Sequence, residues 1–180
     1  MNYGQIFDCD TANGPGIRAS LFVSGCPHHC PGCFNQETWD FDYGLPYTAE
    51  TQNLLLQKLA PGHVAGLTLL GGEPLDPRNV PELLPTVQAF RERFPHKTLW
   101  VYSGYTWEQL LARLAQGEEP LRKLLYLTDV LVDGPFVLAQ KNISLPFRGS
   151  ANQRILDVPA SLRAGAARWV AAYAPKESLP

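Results

Sequence analysis

Four short apolar runs, each closed by glycine or by a helix-starting pattern, limit what this 180-residue chain can fold into. Residues 18–24 mix small and β-branched side chains around an apolar centre and stop at Gly25, and residues 66–70 stop at Gly71-Gly72-Glu73-Pro74. Residues 98–102 and 129–132 have the same character, and 153–158 is a fifth candidate. Apolar runs of this length, bounded by turn residues, predict buried strands. Helix patterns lie between them. Thr48 can cap a helix bearing Leu54, Leu55, Leu56 and Leu59 that ends at Pro61-Gly62. Asn79 and Glu82 open a second across Leu83, Leu84, Val87 and Phe90, with Pro85 expected to bend or delay it. Thr106 and Gln109 form a capping box for a third, bearing Leu110, Leu111 and Leu114. Strands alternating with helices predict an α/β fold with a parallel sheet. No linker or repeat interrupts it, so residues 1–180 are expected to form one domain, with a polar tail fraying at 175–180.

Lys plus Arg number 15 against 17 Asp plus Glu, a net charge of -2. That balance argues against the broad basic surface that nucleic acid attracts. With 45% hydrophobic residues the chain can build a core, which excludes disorder as its main state. The longest apolar runs, such as 64–70, fall far short of the roughly 18 residues that a membrane span needs. The first ten residues lack a basic region followed by an apolar stretch, so the cytoplasm is the expected compartment. Cysteines there point to metal or redox chemistry before disulfides.

Three of the four cysteines crowd into Gly25-Cys26-Pro27-His28-His29-Cys30-Pro31-Gly32-Cys33, a CxxxCxxC array at the end of a predicted strand. Three thiolates at this spacing can hold three irons of a cubane and leave the fourth iron without a protein ligand. Such an open position can be chelated by a molecule carrying amino and carboxylate groups, which suits catalysis. The same spacing also admits a structural zinc site closed by His28, His29 or Cys9, since zinc takes four closed ligands. Disulfides are a third, weaker reading.

The array resembles the signature of the radical S-adenosylmethionine (SAM) superfamily. Its setting is similar to glycyl-radical-enzyme activases: Asn13-Gly14-Pro15-Gly16-Ile17-Arg18 and Phe22-Val23-Ser24-Gly25 before it, and Cys33-Phe34-Asn35-Gln36-Glu37-Thr38-Trp39 after it. Tyr102-Ser103-Gly104-Tyr105-Thr106, Val130-Leu131-Val132-Asp133-Gly134-Pro135-Phe136 and Arg148-Gly149-Ser150-Ala151-Asn152-Gln153-Arg154 resemble the branch acting on anaerobic ribonucleoside-triphosphate reductase. The resemblance implies that Cys26, Cys30 and Cys33 bind a [4Fe-4S] cluster and act in catalysis through it. It also implies that the unique iron chelates SAM, whose reductive cleavage yields a 5′-deoxyadenosyl radical that takes a hydrogen atom from a glycine of the reductase large subunit. A flavodoxin-like electron donor is implied too. The other readings are an activase of a different glycyl radical enzyme, a small-molecule radical enzyme, and a non-catalytic zinc-binding adaptor.

By the same resemblance the SAM contacts fall on Gly32, Cys33, Phe34, Gly71, Gly72, Glu73 and Pro74. Gly32 stands where many superfamily loops have an aromatic, which passes the adenine contact to Phe34. Tyr102 and Ser103 replace the acid that a cation site beside SAM would use, so no such site is expected. Asp133, at a strand end, suits either the ligand mouth or a helix cap. Residues 148–154 read either as a polar loop that docks the partner or as a solvated turn. The implied fold is an incomplete (βα)6-type parallel barrel of the radical SAM kind. A full barrel takes about 250 residues, so this length has room for about six units and is expected to leave one flank open to a partner.

Overall fold

Alternate residues of a strand face opposite sides of a sheet, and here the two sets have different chemistry. Residues 1–175 are described by the computed structural model; of the expected frayed tail, 176–180 lie outside the described residues. Strands β1 (Asn2–Asp10), β2 (Ile17–Val23), β3 (Leu45–Pro46), β4 (Val64–Gly71), β5 (Thr98–Tyr102), β6 (Val130–Asp133) and β7 (Arg154–Asp157) form one sheet in the order β3-β1-β2-β4-β5-β6-β7. On one face Ala19, Leu21, Val23, Leu67, Leu69, Leu99, Val101, Leu131 and Leu156 join a single buried cluster. Helices α1 (Ala49–Leu59), α2 (Val80–Arg93), α3 (Trp107–Ala115), α4 (Glu119–Tyr126) and α5 (Val158–Ala164) all pack into that cluster. The intervening residues carry a smaller cluster of Trp100, Val132 and Ile155, together with the buried polar side chains of Arg18, Ser20 and Thr68.

The expected α/β class holds, but the sheet is mixed and an all-parallel (βα)6 arrangement is not what forms. Only β2, β4, β5 and β6 run parallel to one another; β1, β3 and β7 pair antiparallel. β1 turns directly into β2 through 11–16, where Asp10 accepts hydrogen bonds from the amides of Ala12 and Asn13 and from Ser20 Oγ. A parallel return needs a crossover, usually helical. After β6, Gly134, Pro135, Pro146 and Gly149 break any long helix, and only a short 3-10 turn (Leu138–Gln140) forms before β7 comes back antiparallel.

The predicted caps are mostly in place. Thr48 Oγ1 accepts from the amide of Thr51, and Thr106 with Gln109 closes a reciprocal capping box. Asn79 is the exception. Its own backbone is already helical, and Asp76 accepts the amide of Arg78 instead. Asn79 Nδ2 is thereby free to donate to the carbonyls of Ser24 and Glu73, tying α2 to the loops above the sheet. Pro85 sits inside α2 without ending it.

Candidate metal and cofactor site

The parallel strands end in glycine-rich corners, and the site is built where those corners meet. β2 runs into Ser24-Gly25 and β4 into Gly71-Gly72. The amide of Gly72 donates to the Val23 carbonyl (2.7 Å) and that of Glu73 to the Gly25 carbonyl (2.8 Å). A Cβ on Gly72 would come within 2.5 Å of the Gly25 oxygen, so only glycine permits this approach. Gly25 itself has φ +91 and lies against the Phe41 ring, which Arg78 covers from 3.2 Å.

The cysteine loop folds over this corner. His29 (φ +47) and Gly32 (φ +75) take the left-handed conformation that curls it back, and the Cys33 amide donates to the Cys30 carbonyl (3.0 Å). All three thiols are free and line one cavity of about 540 Å³, within the range of small-ligand sites. Backbone amides face the sulfurs: those of His28 and His29 at Cys26, that of Phe136 at Cys30 and that of Asn35 at Cys33, 3.4 Å away. Burial pushes the Cys26 thiol up to about 12 and raises Cys30 as well, so loading metal there must release protons. Amide donors facing the sulfurs of a cysteine triad suit an iron–sulfur cluster, whose potential such bonds tune.

The structure brings together Cys26, Cys30, Cys33, Phe34, Gly71 and Gly72, which all line the cavity. Phe34 is 61% exposed and stands at its mouth, edge-on to Phe136. Three other expected contacts are placed differently. Leu138 packs over Gly32, and Glu73 and Pro74 are buried behind the cavity wall. No carboxylate lines the cavity among the described residues, and the two residues that stand where a cation site would need an acid are otherwise engaged. Ser103 Oγ donates to Glu73 Oε1, and Tyr102 Oη to the Phe147 carbonyl (2.8 Å).

The expected open flank is a correction. The chain's own connection between β6 and β7 supplies that wall, with Phe136, Asn142, Ile143, Leu145, Phe147 and Arg148 lining the cavity. Stretches at both of its ends carry the resemblance, but with no helical period or metal-type residue nothing local marks the connection as a cavity wall. Arg148 Nη1 donates to the Gln153 carbonyl (2.6 Å), while Arg154 lies in β7, so 148–154 is no solvated turn.

Asp133 acts as a cap. It is 1% exposed, accepts the Trp107 amide at the start of α3 (2.7 Å) and pairs with Arg154, which also holds Glu108. Asp133→Ala is therefore expected to destabilise the fold by about 2–3 kcal/mol in urea unfolding while iron loading is unchanged. Loss of iron with normal stability would instead make Asp133 a site residue.

Fold and cavity together define an α/β protein in which three free loop cysteines line one cavity at the ends of parallel strands. Residues 12–156 match the 4Fe-4S single cluster domain family, and the chain belongs to it. Over 157 residues it is 45% identical to the anaerobic ribonucleoside-triphosphate reductase-activating protein of Pasteurella multocida, covering 86% of this chain and 96% of that one. The Escherichia coli K12 protein of the same name is 43% identical over 155 residues (85% and 96%), and that of Enterobacteria phage T4 is 40% identical over 157 (86% and 93%). The chain is a member of this family of reductase-activating proteins.

Proposed function

We propose that this protein is an iron–sulfur activase that generates a glycyl radical on anaerobic ribonucleoside-triphosphate reductase. The observation that carries this reading is the convergence of Cys26, Cys30 and Cys33 with the Gly71-Gly72 corner on one cavity at the ends of parallel strands. Cys26, Cys30 and Cys33 would hold a [4Fe-4S] cluster, and the cavity beside them would take SAM. The chemistry such a cluster would supply, once bound and reduced, is the electron for cleavage of SAM to methionine and a 5′-deoxyadenosyl radical, which would take a hydrogen atom from the reductase glycine. The chain's own part is to bind, orient and shield. Gly71 and Gly72 let a ligand approach the backbone closely, and Phe34 offers a ring to the adenine. Phe22, Leu70, Phe136 and Phe147 give the cavity an apolar wall that keeps water and stray C–H donors from a reactive carbon radical. The reductase segment enters past Phe34 and Ile143, which line the cavity and are 61% and 89% exposed.

The parallel strands β2, β4, β5 and β6 are, in this reading, the core of a partial radical SAM barrel, carried by residues 1–180 as one domain. A flavodoxin-like protein supplies the low-potential electron, and the setting is the cytoplasm; no helix among the described residues is long and apolar enough to cross a membrane.

A closed zinc site is the weaker alternative. His28 is held by Glu73, His29 lies on the Trp39 ring (4.7 Å), and Cys9 is exposed on β1, away from the cavity lining. The test is anaerobic reconstitution followed by reduction with SAM present. Brown protein that forms 5′-deoxyadenosine and methionine in equal amounts is expected; colourless folded protein with stoichiometric zinc would favour the adaptor.

A further inference from the structure

Glu73 is a fully buried carboxylate on the corner after β4, and all of its acceptor positions are occupied. Oε1 accepts from the amide of Leu75 (2.8 Å) and from Ser103 Oγ (2.9 Å). Oε2 accepts from the amide of Gly104 (2.7 Å) and faces His28 Nε2 at 2.9 Å. In the tautomer that carries its proton on Nε2, His28 completes the donor set around this carboxylate. Three of the four donors are local to the strand ends. The fourth comes from between two cysteines of the metal loop.

The surroundings of His28 are shaped to that bond. Its ring meets Tyr105 edge-on with centroids 4.5 Å apart, and Gly104 leaves the space that the ring fills, since a Cβ there would collide with it. The amides of His28 and His29 face the Cys26 sulfur, so a fixed His28 also fixes those donors. We infer that His28 is a positioning residue: its hydrogen bond to Glu73 clamps the Cys26–Cys30 turn to the ends of β4 and β5 and sets the metal centre at a fixed height above Gly71 and Gly72. Buried hydrogen bonds of this kind orient the groups around a metal and tune it, and their loss typically costs about 10–100-fold in function. The clamp rests on the activase reading for what it positions, a cluster against SAM.

The test uses the full chain reconstituted anaerobically, with three readouts: iron per chain, cluster midpoint potential, and SAM affinity by equilibrium dialysis. His28→Ala is expected to keep its iron but to bind SAM about tenfold more weakly, with a more negative potential as the amide donors to Cys26 loosen. Gly104→Ala, which displaces the ring with both partners intact, is expected to behave the same way. His28→Gln, which keeps a donor, is expected to recover part of both effects. Parental potential and affinity in His28→Ala overturn the inference. So does loss of iron, whether from His28→Ala alone, which makes His28 a ligand, or from both variants, which makes the contact a loading device. A parental protein that holds iron and binds no SAM defeats the activase reading instead, and the potential shift then decides the clamp.

Discussion

Cys26→Ser, Cys30→Ser and Cys33→Ser are each expected to abolish iron–sulfur loading and to lower SAM cleavage by more than about a hundredfold. The size follows from their place in the cavity. Groups that only support a metal ligand already contribute about 10–100-fold, so removal of a ligand itself must exceed that. Cys9→Ser is expected to load and react like the parent, because Cys9 is exposed on β1 and lines no part of the cavity. Iron content and 5′-deoxyadenosine yield, measured on all four variants, check this pattern. A Cys9 variant that loses iron along with the others would mean that four thiols close the site.

Arg18→Met is expected to destabilise the fold by about 3–5 kcal/mol, more than Asp133→Ala does. Arg18 is fully buried on the sheet face opposite the helices. Its Nε donates to Thr68 Oγ1 (2.7 Å), its Nη1 to Thr98 Oγ1 (3.0 Å) and its Nη2 to the carbonyls of Leu67 (2.8 Å) and Thr98 (2.9 Å). One guanidinium thus ties β2 to β4 and β5 and satisfies acceptors that no water replaces when it is removed. Burial lowers it to about 10, so it stays charged at neutral pH. Gly66 makes the room, since a Cβ there would stand 2.8 Å from Nη2 and closer still to the Thr98 oxygen. Domains of this size have only about 5–15 kcal/mol in hand, so the urea midpoint should fall steeply with little change in slope. A change below about 1 kcal/mol would show that the bonds to Arg18 contribute little to stability.

The fold was legible where local chemistry and tertiary setting agree. β2, β4 and β5 are short apolar runs closed by turn residues, and Thr48 and Thr106 carry their caps in the sequence. β1 was missed because most of its side chains are partly or fully exposed, which gives no clear alternation. α4 and α5 are short, at 8 and 7 residues, and each starts beside a proline. The antiparallel direction of β7 is set by the connection before it, and a strand pattern carries no direction. In the site, the cysteine spacing and the Gly71-Gly72 pair could be read directly because each is a local motif. The His28–Glu73 bond joins residues 45 apart, and the wall between β6 and β7 has no period; both depend on how the strands are ordered. An acid at the glycine corner and a histidine inside the cysteine loop were the available signals, yet Glu73 reads as a ligand contact and His28 as a possible zinc ligand, and neither points to the other.

As an activase, the protein makes in this cavity a radical which another protein accepts. The most direct test is electron paramagnetic resonance of an anaerobic ribonucleoside-triphosphate reductase after anaerobic incubation with the reconstituted protein, SAM and a reductant. A glycyl radical signal that requires all three and is lost with Cys30→Ser is the expected result. SAM cleavage without any radical on the reductase would contradict the assignment of the partner, and no SAM cleavage at all would contradict the activase.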